Sequence, residues 1–182
     1  MELIQVKGNT WYLKGAQLIP LYKVDARRCI LLDSGWAWER EAIDAALKKA
    51  DLTPVGVLGT HTHADHSGNF NWLKETFGAK ICTSEGEAAI AATPAMAKWQ
   101  YEGISPSGLK RLMDTLVFPV DQILGPEDGT VEFMDVPFRI HHTPGHSVDH
   151  ICVGTPDGVC YVSDLILAGD VVQTAQIGRA HV

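Results

Sequence analysis

The stretch VLGTHTHADHSGN, residues 57–69, places His61, His63, Asp65 and His66 within six consecutive positions, directly after an apolar run and before a glycine-containing turn. Histidines at i and i+2 on an extended strand end project to the same side, so His61 and His63 can hold one cation together. Asp65 and His66 fall just past the bend where the chain turns into a helix, where they can face a second cation beside the first. A lone histidine is normally a satisfied core or surface residue. Four ligand-type side chains crowded behind a buried strand are hard to explain by packing. Two adjacent cations hold a bridging water and lower its pKa from 15.7 to about 7, which yields a hydroxide nucleophile at neutral pH.

One turn cannot close such a centre, and two later segments supply candidates. In IHHTPGHSVDH, residues 140–150, His146 follows a strand and sits in a Pro-Gly bend that would project it sharply. In CYVSDLIL, residues 160–167, Asp164 interrupts an apolar strand. A buried, unpaired carboxylate there would be costly, whereas one placed between two cations offsets their charge.

Outward from the tetrad, the chain alternates elements. Residues 2–6, 10–13 and 18–24 read as short strands of a meander, and RCILLDSG as a fully buried strand. From Glu39 to Ala50, Ala42, Ile43, Ala46, Leu47 and Ala50 share one helical face. PVGVLGT is the next buried strand. Phe70, Leu73 and Phe77, stopped by Gly78, mark the following helix, and AKICTS is a strand again. This order predicts an α/β fold with its chemistry at the carboxyl ends of the strands. The segment Glu85–Met113 reads as helix-rich and interrupted by prolines, either a lid over a pocket or a helical pair packed on the sheet. Strands return at VEFMD, FRIHHT, HICVG and VCYVSDLIL, the last two joined by a turn at Thr155–Gly158.

Bulk properties narrow the function. A chain of 182 residues, 46% of them apolar, suits a single globular domain. Its formal net charge of −7 disfavours a nucleic-acid partner. No run approaches the ~20 apolar residues of a membrane span, and no basic, apolar leader opens the chain, so the expected setting is cytoplasmic with a small-molecule substrate. The four cysteines, Cys29, Cys82, Cys152 and Cys160, lie in apolar runs without metal-site spacing and read as reduced core thiols.

Taken in order, LLDSG, THTHADH, HTPGHS and VSDLIL resemble the motifs of the metallo-β-lactamase superfamily, the αββα-sandwich hydrolases with an H-x-H-x-D-H signature. The resemblance runs from the first strands to about Ala168. It implies that His61, His63 and His146 hold a first metal, that Asp65 and His66 hold a second, and that Asp164 bridges them. It further implies two zinc ions, with iron or manganese as other options, and Asp65 as proton acceptor or shuttle for the nucleophilic water. Asp33 matches a carboxylate that braces the metal loops, His150 a residue supporting the third-histidine loop, and His141 and His142 are read as structural. Amidohydrolase barrels also use H-x-H, but they need ~250 residues and eight βα units.

The motif context resembles most the hydroxyacylglutathione hydrolase type, implying a zinc-dependent hydrolase that directs a metal-bound hydroxide at a thioester, lactone or related carbonyl. A β-lactamase or lactonase, a single-iron sulfur dioxygenase and a degenerate, non-catalytic metal-binding protein remain as alternatives. Members of the superfamily carry a further histidine after the bridging aspartate. Here 182 − 164 = 18 residues follow Asp164, with His181 their sole histidine. Ile177–Val182 can be encoded by ATC GGA AGA GCA CAC GTC, the start of a widely used sequencing adapter. The expectation is therefore one C-terminally truncated domain over residues 1–175, its second half incomplete and its second metal site short of one ligand, followed by a non-native tail over 176–182.

Overall fold

The computed structural model describes residues 1–100 and 105–166. Residues 101–104, inside the helix-rich segment, and residues 167–182, which include His181 and the tail expected over 176–182, lie outside the described residues.

A meander of β1 (Glu2–Lys7), β2 (Thr10–Lys14), β3 (Leu18–Lys23) and β4 (Arg28–Leu32) opens the chain. Helix α1 (Arg40–Lys49) crosses over to β5 (Thr53–Leu58), and the short α2 (Ala64–Ser67) and α3 (Phe70–Phe77) lead to β6 (Lys80–Ser84). Three helices follow, α4 (Glu85–Ala91), α5 (Pro94–Gln100) and α6 (Pro106–Leu116), and then β7 (Gln122–Leu124). A second set of strands closes the described chain: β8 (Gly129–Phe133), β9 (Val136–His142), β10 (Ile151–Gly154) and β11 (Cys160–Tyr161).

The first seven strands form one sheet in sequence order, antiparallel through β4 and parallel from β4 to β7. The last four form a second, antiparallel sheet in the order β11-β10-β9-β8. Strand β7, only three residues long, is too short for its periodicity to mark it in the sequence.

Alternation decides what each face covers. Tyr22, Ile30, Leu32 and Leu58 turn inward to meet Phe133, Phe138, Ile140, Ile151 and Val153 of the second sheet. Their neighbours Leu21, Cys29, Leu31 and Val57 turn outward and pack under Ile43, Leu47, Phe70 and Leu73 of α1 and α3. The inner strands β4 and β5 are thus apolar on both faces, as their continuous hydrophobic runs require. The second sheet has one such face. Its outward residues Thr130, Glu132, Pro137 and Arg139 are exposed. Three layers of the αββα sandwich, helix, sheet and sheet, lie within the described residues, and the fourth layer does not.

Two expectations need correction. The strand read through VCYVSDLIL ends at Tyr161, and Asp164 stands in a 3-10 turn over Ser163–Leu165. Ser163 adopts φ 47° there, a left-handed conformation that turns the chain out of the strand. Cys160, read as a core thiol, is exposed, because it lies on the outward face of the edge strand; Cys29, Cys82 and Cys152 are buried. Within the helix-rich segment, Leu112, Met113 and Leu116 of α6 pack with Ala64 of α2, behind the tetrad.

Candidate metal centre

The parallel pairing of β4 with β5 aligns Leu32 with Leu58, so both strands deliver their next residues to one place. Asp33 leaves β4 and Thr60 leaves β5. The Asp33 amide donates to Leu58 O at 3.0 Å. In return Asp33 Oδ1 accepts from the Thr60 amide and Oδ2 from the Thr60 hydroxyl, both at 2.7 Å. Asp33 has φ 62°, a region that aspartate tolerates better than most residues. The chain from 59 to 63 is irregular, so His61 and His63 sit past the strand end and not on it.

Three imidazoles converge from two sheets. His61 Nε2 lies 2.9 Å from His63 Nδ1, which lies 2.9 Å from His146 Nε2. His61 and His63 come from the loop after β5. His146 comes from the loop between β9 and β10, where Gly145 at φ 146° makes the bend that a side chain would resist. The rings stand nearly perpendicular, at 83° for His61 with His63 and 87° for His63 with His146.

A second cluster adjoins the first. His66 Nδ1 is held by Asp33 Oδ2 at 2.8 Å. Its other nitrogen, Nε2, is buried without a hydrogen-bond partner. That atom faces Asp65 Oδ2 at 3.5 Å and Asp164 Oδ1 at 3.4 Å. Asp164 Oδ2 in turn lies 3.2 Å from His146 Nε2. Asp164 therefore offers one oxygen to each cluster. His61, His63 and His146 form one group able to hold a cation, and Asp65, His66 and Asp164 another.

At the three-histidine cluster the electrostatics agree with that capacity. Burial first, and then the charge of His66, pushes His61 well below its ordinary value. Burial and the neighbouring His146 bring His63 down to about 4. Both rings are thus neutral near pH 7 and keep a lone pair for a cation. Burial alone would raise Asp65 and Asp164, but His66 outweighs it at Asp65, and His146 with His66 outweighs it at Asp164, so both carboxyls are lowered. Burial opposes charge on His66 as well, yet the carboxylates of Asp33, Asp164 and Asp65 raise it well above its ordinary value. An orphaned buried nitrogen, three facing ring nitrogens and paired carboxylates suit divalent cations.

The remaining predicted residues surround this core. His150 Nδ1 meets Thr143 Oγ1 at 2.8 Å, and the Thr143 amide donates to His150 O at 2.7 Å, closing the loop that carries His146. Its Nε2 is buried without a partner, and burial brings the ring down to about 4. His142 lies outside the clusters, with Nδ1 2.8 Å from Asp149 Oδ1 and Nε2 3.0 Å from Gly125 O, while His141 Nδ1 lies 3.1 Å from Asp128 Oδ2.

Sequence reasoning missed two contributors. Gln17 Nε2 donates to Asp65 Oδ2 at 2.9 Å from the β2–β3 turn, with no local signal to single it out. Glu87 is fully buried beside the metal loops. Its signal was available: Ile90 and Ala91, three and four residues on, are buried with it, so the charge stands on the apolar face of α4.

Residues 20–182 match the family described as the metallo-beta-lactamase superfamily. The chain belongs to that superfamily. Among curated relatives of this metallo-beta-lactamase superfamily member, the Bacillus subtilis (strain 168) protein named "Probable metallo-hydrolase YqgX" is 27% identical over 84% of the chain and 64% of its own length. A hydroxyacylglutathione hydrolase from Pseudomonas aeruginosa (strain LESB58) is 29% identical over 87% of the chain and 48% of its own length. The chain thus spans roughly half to just under two thirds of these relatives. The native FEZ-1 metallo-beta-lactamase from Legionella gormanii superposes with a TM-score of 0.72 at 20% identity, covering 93% of the chain and 66% of that structure. The BJP-1 subclass B3 enzyme of Bradyrhizobium japonicum gives 0.66 at 23% identity, covering 85% and 56%. At that identity the superpositions establish the superfamily fold. Among the described residues no helix is long and apolar enough to cross a membrane.

Proposed function

We propose that this chain carries the catalytic half-sites of a zinc-dependent hydrolase acting on a small carbonyl substrate, with a thioester as the leading class. The observation that carries the reading is the position of Asp164, whose two oxygens reach His66 and His146 and so join the two donor clusters at 3.4 and 3.2 Å. In this reading His61, His63 and His146 would hold one ion, Asp65 and His66 would hold the other, and Asp164 would be shared between them. Such a pair would supply Lewis acidity and would make a water held there acidic enough to ionise near neutral pH. Asp65, only part-buried and held from behind by Gln17, is the group placed to take a proton from the attacking water. Asp33 and His150 orient the ligands, Asp33 through His66 Nδ1 and His150 through the loop of His146.

The similarity to hydroxyacylglutathione hydrolases supports the thioester class, and the likeness of fold to β-lactamases keeps β-lactams and lactones as substrates to test beside it. Metal analysis of the chain after zinc loading is expected to find about two ions, and His61→Ala to lose most of them; full occupancy in the variant would sink the assignment. Turnover of thioesters, lactones and β-lactams should fall by about 10²-fold or more in Asp65→Asn, the scale of a general base. A loaded chain that turns over none of the three would favour a non-catalytic metal protein, and iron-dependent consumption of oxygen a sulfur dioxygenase.

A further inference from the structure

Glu87 belongs to neither donor cluster, yet it grips the backbone beside all three imidazoles of the first. Its Oε2 accepts from the Thr62 amide at 2.9 Å and from the Thr62 hydroxyl at 2.7 Å. Its Oε1 accepts from the Ser147 hydroxyl at 2.6 Å and from the Asp149 amide at 3.2 Å. Thr62 stands between His61 and His63, and Ser147 follows His146. One fully buried carboxylate thus spans two loops that arise from different sheets.

The contact is reciprocated. Asp149 Oδ2 accepts from the Gly86 amide at 2.9 Å, and Asp149 O accepts from Ser84 Oγ at 2.6 Å. A Cβ on Gly86 would stand 2.6 Å from the Asp149 Cβ, so the close approach of α4 to the His146 loop needs glycine there. Two carboxylates, one from each side, therefore dock the first turn of α4 onto the loop.

We infer that Glu87 is a positioning residue for the three-histidine cluster: by fixing the spacing of the His61–His63 loop and the His146 loop, it sets the affinity of that cluster for its metal. The inference rests on the reading that these histidines hold an ion. Glutamine keeps the shape of Glu87 but turns one acceptor oxygen into a donor, and the two backbone amides facing it can only donate. The arrangement then loses hydrogen bonds on at least one of the two loops.

The test is titration of the full chain, stripped of metal, with cobalt(II), followed by its visible absorption. Glu87→Gln is expected to bind the first cobalt about 10- to 100-fold more weakly than the unmodified chain, the range for residues that orient metal ligands. Ser147→Ala should weaken it in the same direction by less. The double variant should be weaker than the unmodified chain by less than the product of the two single effects, because the two side chains share a hydrogen bond. Ile30→Val, which loosens the core between the sheets without touching either loop, should leave cobalt affinity unchanged and controls for general destabilisation. Affinity within twofold of the unmodified chain in Glu87→Gln, or an equal loss in Ile30→Val, would overturn the inference. Should Glu87→Gln fail to fold, Ser147→Ala decides: weaker cobalt binding supports the clamp and unchanged binding overturns it. An unmodified chain that takes up no cobalt overturns the metal reading itself, and the clamp with it.

Discussion

His66 Nδ1 stands 2.8 Å from Asp33 Oδ2, and both side chains are 2% exposed. The same oxygen also accepts from the Thr60 hydroxyl at 2.7 Å and from the Tyr161 hydroxyl at 3.0 Å. Asp33 thus joins the ends of β4 and β5 to the edge of the second sheet while it turns His66 Nε2 toward Asp65 and Asp164. Replacing it with alanine strands several buried donors at once. Asp33→Ala is expected to cost ~3–5 kcal/mol, read by urea unfolding in chelator. Zinc affinity of the second cluster should also fall by about 10- to 100-fold. A loss below about 1 kcal/mol would show that the network is not structural.

Gln17 holds Asp65 from outside the cluster. Gln17→Leu leaves the proposed ligands in place but removes the donor that orients the Asp65 carboxylate. The expected outcome is an unchanged zinc content with turnover of the best thioester lowered by about 10-fold or more, roughly the share of one hydrogen bond to a carboxylate. Equal turnover in the variant would assign Gln17 to the surface of the loop alone.

In the metal-free chain, pH dependence follows from opposite shifts. His63 and His150, both brought down to about 4, stay neutral in the folded state at pH 5 while their unfolded counterparts take up protons. Their stabilisation is full above ~6.5 and is lost as pH falls toward 4, on the order of 2 kcal/mol per histidine by pH 5. His66 is raised, so its contribution is full below ~6.5 and fades as pH climbs through its folded value. Urea midpoints of the chelated chain should therefore peak near neutrality and drop on the acid side. A midpoint at pH 5 equal to that at pH 7 would contradict the burial of these rings.

Thiol reactivity gives an independent check of the layers. Burial pushes Cys29 and Cys82 up to about 12, which suppresses the reactive thiolate at pH 8. Cys152 is buried and Cys160 exposed. With a thiol reagent at pH 8, the native chain should label at Cys160 quickly and at the other three only after denaturant is added, as peptide mapping would show. Rapid labelling of Cys82 would mean that the sheet-to-sheet core is open.

What the sequence made legible is what short-range pattern encodes. The tetrad, the Pro-Gly-His bend and the apolar runs of β4 and β5 could be read directly, because ligand spacing and strand period are local properties. Asp164 could be identified as a candidate but not correctly placed, since the turn at Ser163 depends on its hydroxyl lying 2.9 Å from Thr60 Oγ1, a contact across 103 residues. Gln17 carried no trace, because a polar residue in a turn is the ordinary case. Glu87 is one of two acids in the first turn of α4, where negative charge is favoured anyway, and only its apolar neighbours mark that it points inward.

The pairing of His63 with His146 spans 83 residues, and that of Thr10 with Thr155 spans 145. Closing loops of that length is an entropic debt that local structure cannot settle, so it is met only once both sheets have met. On the proposed reading, metal capture at the three-histidine cluster would be a late event, because His146 reaches His61 and His63 only once the two sheets have come together.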